Sequence, residues 1–176
     1  MNRIGYAPGA FDLFHVGHLN LLERAKSQCD FLIAGVVSDE VLKVQKGRPP
    51  VVPLAERLEI VRQVRYVDEA VAAVVPDKLV MWRQLKFDVL FKGDDWRGTE
   101  KGREMDRAFA AVGVRVVYFP YTRTTSSTAL RRALDTINRL ADRNQDVRTD
   151  QASASVEFES KSRSVSPRSV RHGHVG

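Results

Sequence analysis

Two histidines three residues apart carry the most direct chemical suggestion in this chain of 176 residues. They lie in Gly9-Ala10-Phe11-Asp12-Leu13-Phe14-His15-Val16-Gly17-His18. A short run of β character (Arg3 to Ala7) precedes the stretch and a run of helical period (Leu19 to Ser27) follows it. His15 and His18 therefore fall where a βα turn meets a helix N-terminus. Unpaired N–H groups and the positive end of the helix dipole attract phosphate to such a place, and Gly9 and Gly17 let a polyphosphate approach the main chain. Spaced i, i+3, the two imidazoles share one side of the first turn and can touch one phosphoryl group together.

Two further clusters stand at the edges of regular elements. Ser126, Ser127 and Thr128 open the helical run Ala129 to Leu140, just after Arg123 and Thr124. Hydroxyls and free N–H groups there suit a second anion, and the same residues are good helix caps. Asp94 and Asp95 follow an apolar run, where ligand hydroxyls or a magnesium ion can be held, and Trp96 can wall an acceptor pocket.

The elements that must position these residues alternate. Arg3 to Ala7, Phe31 to Val37, Val71 to Val75, Val89 to Lys92 and Val114 to Phe119 are short and rich in Val, Ile, Leu and Phe, as buried strands are. Between them, Leu19 to Ser27, Leu54 to Val64, Lys78 to Leu85 and Thr99 to Ala111 have helical period. This pattern predicts an α/β fold, a doubly wound parallel sheet with helices on both faces. Ligands of such sheets bind outside the carboxyl ends of the strands, and every cluster above follows a strand or begins a helix. Gly47 to Pro53 carries three prolines and is expected as a loop, with Lys43, Lys46 and Arg48 on or beside it, able to close on substrate.

Composition sets the outer bounds. Hydrophobic residues make up 43% and charged residues 28%, within the range of a soluble globular domain. No apolar run reaches the length of a membrane span and no signal peptide is recognised, so a cytoplasmic protein without a membrane role is expected. The single Cys29 is read as packing. A net charge of +6 fits a polyanionic small substrate better than nucleic acid, because the arginines are dispersed through the clusters. From Asn144 the chain loses hydrophobic period, giving a folded domain over 1–143 and a disordered, Ser- and Arg-rich tail over 144–176.

The pattern G-x-F-D-x-x-H-x-G-H resembles the signature of the cytidylyltransferase-like nucleotidyltransferases. Arg65-Tyr66-Val67-Asp68-Glu69, Gly93-Asp94-Asp95-Trp96 and Arg123 to Thr128 match the same family in order, most closely its glycerol-3-phosphate cytidylyltransferases. The resemblance runs from about Arg3 to Leu134. It implies the Rossmann-like fold of that family. It also implies transfer of CMP from CTP to glycerol 3-phosphate or a similar polyol phosphate, with Mg2+ carried by the triphosphate. His15, His18, Lys46 and Arg123 take the catalytic roles. Gly9, Ala10, Phe11, Gly17, Arg57, Arg65, Asp94, Arg123, Thr124, Ser126, Ser127 and Thr128 are assigned to the nucleotide; Asp12, Lys46, Asp94 and Trp96 are assigned to the acceptor. A homodimer is implied as well, with Asp68 orienting an arginine or supporting a subunit contact. Two features depart from the family: Ala10 stands where Thr is common, and the segment from Arg123 is two residues shorter than in the glycerol-3-phosphate enzymes. An adenylyltransferase acting on a sugar phosphate or FMN shares the same core, and a non-catalytic nucleotide- or nucleic-acid-binding module is the alternative of another class.

Overall fold

The computed structural model describes residues 2–120, 122 and 125–143. Five strands, β1 (Ile4–Gly9), β2 (Phe31–Val37), β3 (Glu69–Ala73), β4 (Val89–Gly93) and β5 (Arg115–Phe119), form one sheet in the order β3-β2-β1-β4-β5. All pairs are parallel. This is the doubly wound arrangement that the alternating sequence predicts, with the order reversing beside β1.

Alternation along the strands assigns the two faces. Ala7, with Leu32, Ala34, Val36, Val89 and Phe91, packs against α1 (Val16–Lys26) and α3 (Leu54–Arg62). Tyr6, with Ile33 and Leu90, packs against Met81 of α4 (Lys78–Leu85) and Met105 and Phe109 of α5 (Glu100–Ala110). Lys92 falls on this second face by the same period of two.

One helix was not expected. Lys43 and Lys46 lie in α2 (Asp39–Lys46) rather than on a loop. Ser38 caps it through Oγ, which accepts from the Val41 amide at 3.3 Å, and Gly47 ends it at a left-handed φ of 70°. Ser-x-x-Val at the start and Lys-Gly at the end are the signals for it, but eight residues are too few for helical period alone to show.

The sheet opens at its switch point. Ile4 directs its main-chain groups toward β4, because its carbonyl accepts from the Asp88 amide at 2.8 Å. Tyr6 and then Pro8 follow with the same orientation, and Pro8 has no N–H to donate. The β1–β4 register accordingly holds only Gly5 with Val89 and Tyr6 with Leu90, whereas β1 stays paired with β2 through Gly9. Lys92 and Gly93 thus emerge beside a gap.

Compact packing extends through Arg131, and the described residues 132–143 belong to a separate unit. Residues 127–143 are helical, and no helix among the described residues is long and apolar enough to cross a membrane. The proposed tail, 144–176, lies outside the described residues. A 3-10 turn at Asp94–Trp96 leads into α5, whose Gly102 sits against the Trp96 carbonyl: a Cβ there would collide with the oxygen and come within 3.0 Å of its carbon. Gly102→Ala is expected to destabilise the protein by about 1–3 kcal/mol, measured by urea denaturation, through displacement of the turn that carries Trp96.

Candidate active site

The β1–α1 turn is built around a buried carboxylate. Phe11 and Leu13 both adopt left-handed backbone, with φ of 49° at each, which costs an L-residue about 1–2 kcal/mol. Between them, Asp12 accepts from the amides of Val51 at 3.0 Å and Val52 at 2.9 Å, and from Arg131 Nη2 at 2.6 Å. Burial pushes this carboxyl up, but the two amides and Arg131 outweigh it and hold the group below the usual carboxylate range. The acceptor role expected for Asp12 is therefore corrected. Its oxygens are engaged by the protein's own donors, and they fix the loop before α3 and the first turn of the helix at 127 onto the β1–α1 turn. The loop read as free to close is tied down at Val51 and Val52.

His15 is the N-cap of α1, its Nδ1 accepting from the Gly17 amide at 3.0 Å. A Cβ on Gly17 would lie 2.8 Å from His15 Cε1 and 2.9 Å from Nδ1, so the glycine is required by the cap itself. His18 Nδ1 accepts in turn from the His15 amide at 3.4 Å, and the two rings stack at a centroid distance of 4.0 Å. Because both Nδ1 atoms accept, the hydrogen bonds assign the proton of each neutral ring to Nε2. His15 Nε2 lies 3.3 Å from Ser127 Oγ, which donates to the Asp12 carbonyl at 2.7 Å.

Burial, reinforced by the positive charges of His15 and Lys46 and opposed by Asp12, pushes His18 down to about 3. Burial also lowers His15. The site therefore offers two neutral N–H donors, with Lys46 as the nearby cation.

Three cavities open at this end of the sheet, one of them against the histidines. One of about 210 Å³ reaches Gly9, Ala10, Lys46, Lys92, Asp95 and Trp96. A second, about 280 Å³, is lined by Asp12, Lys46, Arg48, Ser127, Thr128 and Arg131. The third, about 90 Å³, lies against His15, Gly17, His18, Gly93 and Thr122. Lys46 borders the first two, and neighbours Lys92 and Gly93 border the first and third. Asp95 lines the first cavity, whereas Asp94 opens the 3-10 turn and borders none of the three. Ser126 caps the helix at 127 through the Ala129 amide at 3.1 Å. Phe11 is buried, its ring edge-on to His18 at 5.4 Å, which leaves its main chain for a ligand. Arg123 and Thr124 lie outside the described residues.

Two arginines depart from their expected places. Arg57 is 1% exposed. Its Nε donates to the Val52 carbonyl at 2.8 Å, Nη1 to the carbonyls of Ala10 and Val37, and Nη2 pairs with Asp39 at 2.5 Å. It holds the site together and offers nothing to a phosphate. Arg65 precedes β3 and so lies at the amino edge of the sheet, away from the histidines, stacked 4.7 Å from the Tyr66 ring centroid. Asp68 pairs with Lys26 at 2.6 Å and accepts from the Leu32 amide at 2.6 Å, and among the described residues no arginine is involved. Lys78, Lys92 and Arg131 were not anticipated. A lysine on the buried face of β4 is the signal for Lys92.

The fold and this site define a nucleotidyltransferase. A family model described as Cytidylyltransferase-like matches residues 6–133, and the chain belongs to that family. It is 36% identical over 133 residues to the glycerol-3-phosphate cytidylyltransferase of Bacillus subtilis (strain 168), covering 72% of this chain and 92% of that protein. An FAD synthase of Pyrococcus abyssi (strain GE5 / Orsay) is 43% identical over 88 residues, 49% of this chain and 60% of that protein, so the chain spans less than two thirds of it. The crystal structure of the lipopolysaccharide core biosynthesis protein from Thermoplasma volcanium GSS1 has the same fold, with a TM-score of 0.60 over 71% of this chain and 100% of that one at 23% identity.

His18 makes stability depend on acid. In the folded protein it stays neutral down to about pH 3, whereas the unfolded chain protonates it near its ordinary 6.5. Between these values the unfolded state binds the extra proton, so stability falls as pH falls, by up to about 1.4 kcal/mol per pH unit. His18→Asn keeps an acceptor for the His15 amide and removes the titration. Its urea midpoint is expected to be flatter than the parent's between pH 6.5 and 4.

Proposed function

We propose that the protein transfers CMP from CTP to the phosphate of glycerol 3-phosphate or a similar small polyol phosphate, releasing pyrophosphate. The observation that carries this reading is the convergence of the His15 and His18 Nε2–H donors with Lys46 at the open end of the β1–β4 ladder. An oxygen of the acceptor phosphate bonds to the α-phosphorus, the bond to the α–β bridging oxygen breaks, and its electron pair leaves with pyrophosphate. No base is required, because the acceptor phosphate is already ionised. Catalysis is then positioning and stabilisation of spreading negative charge.

In this reading His15 and His18 donate to the α-phosphate and bridging oxygens, and Lys46 neutralises charge between nucleotide and acceptor. Ser127, Thr128, Arg131 and Arg48 surround the cavity suited to the outer phosphates, and Arg123 and Thr124 are assigned there by family resemblance. A divalent cation, Mg2+ in the expected case, arrives on the triphosphate. Among the described residues no cluster of three or more His, Cys, Asp or Glu is placed to hold a metal, so the phosphate oxygens supply most of its ligands.

The match to the Bacillus protein supports the cytidyl assignment, and FAD synthases match over spans as long. The 43% identity to an FAD synthase segment favours a second reading, adenylyl transfer to FMN. Pyrophosphate release with each of the four nucleoside triphosphates, against glycerol 3-phosphate and FMN, separates them: turnover with CTP is expected, and turnover with ATP alone overturns the cytidyl assignment. His18→Ala is expected to lower kcat about a hundredfold or more while changing triphosphate binding little, because a donor aimed at developing charge acts mainly in the transition state.

A homodimer in the cytoplasm completes the reading. Exposed Arg65 and half-buried Tyr66, whose hydroxyl donates to Glu23 at 2.6 Å, form the surface proposed for the contact. Sedimentation at micromolar concentration is expected to give a dimer; an active monomer is the contrary result.

A further inference from the structure

The cavity on the α4–α5 face carries more positive charge than a neutral polyol requires. Its charged lining consists of Lys46, Lys78, Lys92 and Asp95, three ammonium groups against one carboxylate, beside the phenol of Tyr6. Among the described residues none of the three lysines forms an ion pair or a hydrogen bond. Lys78 Nζ and Lys92 Nζ instead lie 4.9 Å and 4.7 Å from the centroid of the same indole, Trp96. A ring quadrupole offsets only about 0.5–2 kcal/mol per cation, and two like charges gathered on one ring repel each other.

The arrangement is costly at Lys92 in particular. Burial and then the charge of Lys78 push its ammonium down to about 8, with Asp95 acting in the opposite sense. Burial likewise lowers Lys78. The Trp96 carbonyl lies against Gly102, and both half-buried lysines lie against the half-buried Trp96 ring, so the three side chains form one wall of the cavity. Lys92 sits there because β4 runs past the end of its ladder with β1. Lys46, which borders both larger cavities and whose charge acts on His18, is assigned to the attacking phosphate in the proposed reaction, and Lys78 and Lys92 then remain without a charge to meet.

We propose that Lys78 and Lys92, both against Trp96 in the lining of one cavity, form a second anion subsite, so that the preferred acceptor carries a further negative group, a carboxylate or a second phosphate, besides the phosphate that attacks. This rests on the transferase reading for the reaction, but the anion subsite itself does not. A neutral diol such as that of glycerol 3-phosphate leaves both ammonium groups unmatched, whereas an anion a few bonds from the attacking phosphate binds them and relieves their repulsion.

Two acceptors of nearly the same shape test it. Glycerol 3-phosphate and 3-phosphoglycerate differ chiefly in a hydroxymethyl group against a carboxylate. With the parent protein and the triphosphate that supports turnover, kcat/KM is expected to favour 3-phosphoglycerate about tenfold or more. Lys92→Met and Lys78→Met are each expected to reduce that preference toward unity, mainly by raising KM for 3-phosphoglycerate. Equal use of the two acceptors by the parent, with a ratio unmoved by Lys92→Met, overturns the proposal. Calorimetric titration of 3-phosphoglycerate without nucleotide reads the subsite independently of catalysis. Binding weakened about tenfold in Lys92→Met supports the subsite even if every triphosphate fails to turn over, which would defeat the transferase reading alone. Binding unchanged in both Lys→Met variants, each shown folded by its thermal transition, defeats the subsite alone.

Discussion

The guanidinium of Arg57 is the constraint on which the site depends. It joins the carbonyls of Ala10, Val37 and Val52 and the carboxylate of Asp39, and so ties the ends of β1 and β2 to α2 and to the start of α3. Asp39 in turn accepts from the Leu54 amide at 3.3 Å, supplying α3 with the cap that Pro53 lacks. A buried charge left without its partner costs about 3–5 kcal/mol, so the four segments are locked into one arrangement. Arginine suits this position better than lysine because its planar fork meets acceptors in several directions at once.

Asp12 extends that lock to the chemistry. Arg57 holds the carbonyl of Ala10 and the loop at Val52, and Asp12 grips the amides of the same loop and Arg131. The carbonyl of Asp12 then receives Ser127, and Ser127 meets His15. Both histidines present Nε2 because their other nitrogens are occupied by the helix cap. Donors fixed in this way need no reorganisation as charge develops, which is the condition under which they contribute most.

Much of this can be read from residue types alone. The five apolar runs and their spacing are enough for the parallel sheet, and the His-x-Gly-His stretch marks its active edge. What the sequence withholds is the destination of each charge. Asp12 and Arg57 stand in or near the motifs and look like ligands for substrate, yet a carboxylate and a guanidinium suit main-chain amides and carbonyls equally well, and only the fold decides. Arg65 is near the motifs in sequence and at the other edge of the sheet in space, since a parallel strand must be entered from that side. Lys92 was visible as the last residue of an apolar run, but its meaning depends on where the β1–β4 ladder ends.

That ending has a wider consequence. Pro8 makes a binding crevice by omission: one absent N–H releases two strands, and nothing has to be carved from the core to make room. Below the gap, Gly5, Tyr6, Val89 and Leu90 keep the sheet intact. Above it, residues of α4 and the 3-10 turn form one wall, while α1 with Phe119, Pro120 and Thr122 forms another on the opposite face. Each wall can change without disturbing the other or the ladder beneath. Such a scaffold lets substrate range diverge by substitutions outside the sheet while the histidine turn stays the same.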